Sequence, residues 1–174
     1  MLNEKRYEVI NNTIRYMAPA SYTHENIQAI VTAILYSKVD STRCRVFGSN
    51  AKFKLDNKDF IMPDFSVRCF EKKQWKLVGE IVSKGNTILE LTNKRNEYFK
   101  HGVVEYWQID PVTKEFTIYF NNEIYNSVKL LTDKEIEDEL EEEQREKYST
   151  VIKSPQFGEI DLKDIFLPEF DWED

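Results

Sequence analysis

Hydrophobic positions in the first forty residues predict a hairpin followed by a helix. β-Branched and aromatic residues flank the pair Asn11-Asn12, which tolerates the positive φ angles of a two-residue turn. We therefore expect a β-hairpin made of Tyr7–Ile10 and Thr13–Met17. Apolar residues then recur at the i, i+3, i+4, i+7, i+8 spacing of an amphipathic helix running from near Thr23 to about Ser37. These residues are Ile27, Ile30, Val31, Ile34 and Leu35.

The middle of the chain predicts a strand, a helix and a second strand. Trp75–Ser83 is a nearly continuous apolar run, as expected of an interior strand buried on both faces. A capping box opens the next helix at Thr87, which runs to about Lys100, and Val104–Pro111 is again strand-like. Such a crossover unit normally joins two parallel strands.

Shorter strands complete an α/β (α+β mixed) chain with a mixed central sheet flanked by helices. They are predicted at Arg43–Gly48, Lys52–Leu55 and Asp64–Phe70, in a hairpin of Phe116–Phe120 with Ile124–Leu130, and in a tail strand and docking segment, Gly158–Phe166.

Length and composition fit one domain spanning residues 1–174, large enough to need no disulfide or structural metal. Cys44 and Cys69 lie far apart in the sequence and show no zinc-site spacing, so buried free thiols are expected. No apolar run reaches the roughly 18 residues of a membrane span, and no export leader is apparent. We expect a cytoplasmic protein without a membrane partner.

The net charge of −7 comes mainly from one segment. Residues 133–147 hold nine acidic and three basic side chains, and the remaining chain is close to neutral. We interpret the segment as an acidic insert, opened by Thr132 and Glu135 as a capping box. Charge therefore neither predicts nor excludes a nucleic-acid partner.

Two carboxylates are candidates for a metal-binding site. Glu80 interrupts an otherwise apolar strand, where an ionised carboxylate costs several kcal/mol unless a cation, a metal or a proton compensates it. A buried salt bridge is an equally open explanation. Asp64 follows Pro63 at the start of a neighbouring predicted strand, and two converging carboxylates suit Mg²⁺ or Mn²⁺.

Lys94 is the third candidate, because a crossover helix packs back over the strand that it follows. An amine there could orient the attacking water or offset developing phosphate charge. For a lone lysine, an exposed pair with Glu90 at i, i+4 is the favoured alternative.

Several short motifs between Tyr7 and Phe120, and again between Gly158 and Phe166, jointly resemble one known family. They are the hairpin Tyr7–Met17, Met17-Ala18-Pro19-Ala20-Ser21 with His24, Pro63-Asp64-Phe65-Ser66-Val67, Glu80-Ile81-Val82-Ser83, Lys94 with Tyr98, and Gly102-Val103-x-Glu105-Tyr106-Trp107-x-Ile109-Asp110-Pro111. The chain resembles the Uma2 (Uma-two) family, bacterial nucleases assigned the PD-(D/E)xK restriction-endonuclease-like fold.

The resemblance implies a metal-dependent phosphodiesterase site. Asp64 would match the family's Pro-Asp carboxylate and Glu80 its second carboxylate, with the backbone carbonyl of Ile81 as a further metal ligand. Lys94 would match a lysine moved from the strand to the helix, since Val82 stands where the general motif has lysine.

The resemblance implies two further candidate site residues. His24 lies where the family carries a histidine on its first helix, although packing or capping is favoured for His24 taken alone. Glu25 could serve as an additional acid.

The chain also departs from the family pattern, which leaves its activity open. It reads Ser83-Lys84-Gly85-Asn86-Thr87 where the family has Ser-Pro-Ser-Thr, it has Glu90 where the family often has Asp, and it carries the atypical acidic insert. The leading hypothesis is an Mg²⁺-dependent endonuclease acting on nucleic acid, with DNA as the expected partner. The alternatives are an inactive binding or regulatory module of the same fold, and an assembly protein whose surplus aromatic surface forms a homodimer.

Overall fold

The computed structural model describes residues 6–167, apart from the side chains of residues 57 and 72. The strands are β1 (Tyr7–Ile10), β2 (Thr13–Tyr16), β3 (Cys44–Phe47), β4 (Phe53–Lys54), β5 (Phe60–Ile61), β6 (Phe65–Cys69), β7 (Trp75–Ile81), β8 (Glu105–Asp110), β9 (Glu115–Phe120), β10 (Glu123–Lys129), β11 (Val151–Ser154) and β12 (Gly158–Asp161). The helices are α1 (Tyr22–Lys38), α2 (Ile88–Lys100), α3 (Asp133–Glu139), α4 (Glu142–Lys147) and α5 (Leu162–Ile165).

Six strands form the central sheet in the order β10-β9-β8-β7-β6-β3. All neighbours are antiparallel except β7 and β8, which are parallel and joined by α2. The predicted crossover unit and the mixed sheet flanked by helices are therefore confirmed, as are the hairpins at Asn11-Asn12 and Asn121-Asn122.

The two faces of β7 serve different cores because side chains alternate along a strand. Leu77 and Ile81 belong to the larger core, which α1 covers with Ile27, Val31 and Leu35. Val78 faces the smaller core under α2, where it packs near Tyr98 and Tyr106. Glu80 lies on the Val78 side, so the fold directs this carboxylate toward α2.

A second sheet, ordered β2-β1-β5-β4, closes the smaller core. Its inner face contributes Ile10, Phe53 and Ile61 to that core. Strand β5 and the β1–β5 pairing were not predicted, since β5 has only two residues and its partner is distant in sequence. This sheet holds the hairpin against β7 and α2.

Buried Glu105 links the C-terminal hairpin of β11 and β12 to the central sheet. Of these two strands, β12 was predicted and β11 was not. Its Oε2 accepts hydrogen bonds from Trp107 Nε1 and Ser154 Oγ, both at 2.8 Å, and its Oε1 accepts one from the Gln156 N–H at 2.7 Å.

The acidic insert forms the short helices α3 and α4, with the expected capping box at Thr132 and no buried side chain.

The expectation of free thiols was wrong, because Cys44 and Cys69 form a disulfide. They are separated by 25 positions, but the antiparallel register of β3 and β6 puts them directly opposite each other. Spacing along the chain could not reveal this pairing.

Of the helices within residues 6–167, none has the length and apolar character needed to cross a bilayer.

Gly79 is required by the packing of the strand that carries Glu80. A Cβ atom at this position would collide with the ring of Phe65, which is fully buried in the larger core. The ring lies on the adjacent strand directly opposite Gly79. We expect Gly79→Ala to lower the free energy of unfolding by about 2 kcal/mol, as overpacking a core does.

Urea denaturation of Gly79→Ala beside Gly85→Ala tests this expectation. No atom lies within 4 Å of a Cβ built at Gly85, which lies in an exposed loop, so that variant should unfold like the wild type. A wild-type unfolding curve for Gly79→Ala would contradict the packing described.

Candidate active site

Asp64 stands at the entrance to β6 and is fixed by β7. Its N–H donates to the carbonyl of Gly79 at 3.0 Å, and its Oδ2 accepts a hydrogen bond from the N–H of Ile81 at 2.7 Å. Since Ser66 pairs with Val78, the register puts the side chains of Asp64 and Glu80 on the same face of the sheet. The two candidate carboxylates thus lie on adjacent strands, both buried.

Glu80 is held by α2 through both of its carboxyl oxygens. Lys94 Nζ lies 3.3 Å from Oε2, and the hydroxyl of Tyr98 donates to Oε1 at 2.5 Å. Lys94 and Tyr98 are one turn apart, so they present their polar groups from the same side of α2. Lys94 is buried and does not form the exposed pair with Glu90.

Glu8 is a site residue that sequence reasoning missed. Its Oε1 lies 2.9 Å from Lys94 Nζ and also accepts a hydrogen bond from the N–H of Met62 at 2.9 Å. A signal existed in the hairpin: Glu8 is two residues before the buried Ile10, so alternation turns both toward the core. A carboxylate on the buried face of a strand needs a partner, and Lys94 supplies it.

His24 joins the site and Glu25 does not. Ser21 caps α1 by accepting a hydrogen bond from the N–H of His24, and this first turn brings His24 Nε2 to 3.2 Å from Asp64 Oδ2. Burial lowers the pKa of His24, but the hydrogen bond and charge of Asp64 outweigh burial and raise it above its ordinary value. Glu25 is exposed, and no described hydrogen bond or ion pair links it to the cluster.

The site holds three buried carboxylates and one buried amine, so ionising every carboxylate would leave an excess of negative charge. Burial raises the pKa of Glu80 to about 8, as do the nearby charges of Asp64 and Glu8, against the opposing effects of Lys94 and Tyr98. Burial alone would lower the pKa of Lys94, yet the charges of Glu80 and Glu8 raise it. Lys94 therefore stays protonated at neutral pH, while Glu80 tends to hold a proton.

The sequence matches the model of the Uma2 family, described as "Putative restriction endonuclease", over residues 1–146. The chain belongs to the Uma2 family. The comparison with curated proteins gave no match.

Two solved structures can also be superposed on this chain. A crystal structure described as "a putative nuclease belonging to DUF820" from Anabaena variabilis ATCC 29413 superposes with a TM-score of 0.70, at 19% identity over 94% of this chain and 90% of that one. This likeness shows a shared fold. A cryoEM DrdV-DNA complex superposes over 59% of this chain and 9% of that one, at 14% identity and a TM-score of 0.38.

Restriction-endonuclease-like families such as Uma2 generally use divalent metals. Within residues 6–167, no three His, Cys, Asp or Glu side chains are grouped to hold an ion. Two carboxylates do fit hard-cation chemistry. Asp64 Oδ1 accepts no hydrogen bond from the described residues, whereas Glu80 already shares both oxygens with Lys94 and Tyr98. A cation would also offset the charge that Glu80 gains when it loses its proton.

The raised pKa of Glu80 predicts how metal-free protein responds to pH. An unfolded glutamate loses its proton near 4.5, whereas native Glu80 keeps its proton to about 8. Between these pH values the native state binds more protons, so the free energy of unfolding should fall as pH rises, by up to about 1.4 kcal/mol per pH unit for one proton.

Urea denaturation from pH 4.5 to 8 in a chelating buffer measures this slope. Glu80→Gln should make the free energy of unfolding depend less steeply on pH. Part of the slope should remain in both the wild type and this variant, because burial also raises the pKa of Glu105. Identical slopes for wild type and Glu80→Gln would show that Glu80 is ionised in both states.

Proposed function

We propose that this Uma2 protein is a metal-dependent endonuclease of the PD-(D/E)xK type that hydrolyses phosphodiester bonds, with DNA as the substrate. The observation that carries the proposal is the meeting of Asp64, Glu80 and Lys94 in one buried cluster. Membership of a family described as restriction endonucleases supports the same reaction class. Fold alone would not, since one fold hosts many functions.

Asp64, Glu80 and the backbone carbonyl of Ile81 are the proposed ligands of Mg²⁺ or Mn²⁺. Such an ion, when bound, would neutralise the scissile phosphate and make water a stronger nucleophile. The Ile81 N–H donates to Oδ2 of Asp64 and His24 Nε2 lies 3.2 Å from the same oxygen, so Oδ1 is the oxygen left for the ion. His24 is thus a positioning residue for Asp64.

Lys94 is the proposed catalytic cation. An ammonium has three N–H donors, and Glu8 and Glu80 take two of them. The third can donate to a phosphate oxygen or to the attacking water, which aligns the water and offsets the charge that develops on phosphate. Glu8 and Tyr98 act as positioning residues because they hold Lys94 and Glu80.

A cleavage assay with isosteric variants tests this assignment. Mg²⁺-dependent nicking of plasmid DNA should fall by about 100-fold or more in Asp64→Asn and Glu80→Gln, since each removes a negative charge from the ligand set while keeping the side-chain size. Glu25→Gln is the matched control, because this exposed carboxylate lies outside the cluster and its loss should leave the rate unchanged.

Cleavage that persists in excess chelator, or that is equal in wild type, Asp64→Asn and Glu80→Gln, would contradict the proposal. A wild type that binds DNA but never cleaves it with Mg²⁺ or Mn²⁺ would favour a binding module of the nuclease fold. Thermal unfolding of each variant shows whether a lost activity reflects a lost fold.

A further inference from the structure

The hairpin and its small sheet have two chemically different faces. The inner face carries Glu8 and Ile10 into the site and the core. Cross-strand pairs share a face, so the register of Tyr7 with Tyr16 and of Val9 with Phe60 puts all four on the outer side. Three aromatic rings therefore lie across β2, β1 and β5.

These rings form a continuous row, which we call the aromatic platform: Tyr16, Tyr7 and Phe60. The centroids of Tyr7 and Tyr16 are 6.4 Å apart and those of Tyr7 and Phe60 are 5.5 Å apart, with edge-on contacts in both pairs. Tyr7 is 39% exposed and Tyr16 is 68% exposed, while Phe60 is half-buried. Neither core includes these rings.

Positive charge accompanies the platform although the chain as a whole is acidic. Lys52 Nζ lies 4.1 Å from the ring centroid of Phe60 and 5.9 Å from that of Tyr7. Lys54 pairs with Phe60 across the sheet and is exposed on the same face. The carboxylate of β1, Glu8, points to the opposite face, so the outer face presents aromatic rings with two lysines.

We infer that the aromatic platform binds the unpaired bases of a single-stranded nucleic-acid segment. Bases stack on exposed tyrosine and phenylalanine rings without regard to sequence, and flanking lysines attract the phosphates between them. Paired bases in a duplex present their edges and backbone, so solvent-accessible aromatic rings favour unpaired bases.

The edge strand β2 lies between the platform and the candidate active site. On β2, Tyr16 lies on the outer face, whereas Arg15 lies on the inner face with Glu8, its cross-strand partner. Arg15 NH1 reaches to 3.8 Å from Glu90 Oε1 in the first turn of α2. A strand that stacks on Tyr7 and Tyr16 can therefore pass over β2 to Arg15 and the cluster. The inference rests on the proposed function for its choice of ligand, and it assigns that nuclease a substrate with a single-stranded segment.

Oligonucleotide binding in excess chelator tests the platform separately from cleavage. Fluorescence anisotropy would measure the affinity of a labelled oligothymidylate of about twelve nucleotides, an abasic oligomer of equal length and a duplex. Wild type should prefer the oligothymidylate. Tyr7→Leu and Phe60→Leu should each weaken that binding by about 10-fold, as expected for a lost stacking partner, and bring it near the affinity for the abasic oligomer.

The matched control is Tyr125→Leu, which removes an exposed tyrosine from β10 in the other sheet and should leave affinity unchanged. Circular dichroism checks that each variant is folded. Equal affinity for the abasic oligomer, no binding by wild type, or unchanged binding by Tyr7→Leu and Phe60→Leu would overturn the inference. So would sedimentation showing that these variants lose self-association while oligonucleotide affinity stays the same. Because binding is measured without metal, a failure of the cleavage proposal leaves this readout intact.

Discussion

The ammonium of Lys94 is buried between the carboxylates of Glu8 and Glu80, and the arrangement of the site depends on this contact. It joins three elements that are distant in sequence: the hairpin, the central strand β7 and the crossover helix α2. Removing one partner of such a cluster would leave a buried charge uncompensated, at a cost of about 3–5 kcal/mol. The polar groups of the candidate site therefore also fix where the small sheet and α2 lie over β7.

Elements whose residues carry a strong local pattern could be predicted from the sequence. The apolar spacing of α1, the N-cap at Thr87 before α2 and the Asn-Asn turns each specify one local structure, and all of them are present. The predicted capping box at Thr87 is only half formed, because the Glu90 carboxylate lies near Arg15 and makes no described bond to the Thr87 backbone. The Trp75–Ser83 run also indicated a buried carboxylate at Glu80. Asp64 and Lys94 followed from topology and resemblance, because a crossover helix returns over its own strand.

The features that local pattern missed all arise from pairing between distant segments. Glu8 contacts Lys94 across 86 positions, β5 has two residues, and the Cys44–Cys69 disulfide exists only through the register of β3 with β6. Glu25, next to His24, shows the converse: one step along a helix turns a side chain about 100° away from its neighbour, so the histidine enters the site and the glutamate stays in solvent.

The central claim is that Asp64 and Glu80 share one divalent cation beside the amine of Lys94. A crystal structure of the protein soaked in Mn²⁺, with an anomalous difference map, tests this most directly. The account predicts a single strong peak at coordination distance from an oxygen of each carboxylate, with Lys94 still in contact with Glu8. Well-diffracting crystals with no peak there, in which Lys94 and Tyr98 still hold both oxygens of Glu80, would contradict it.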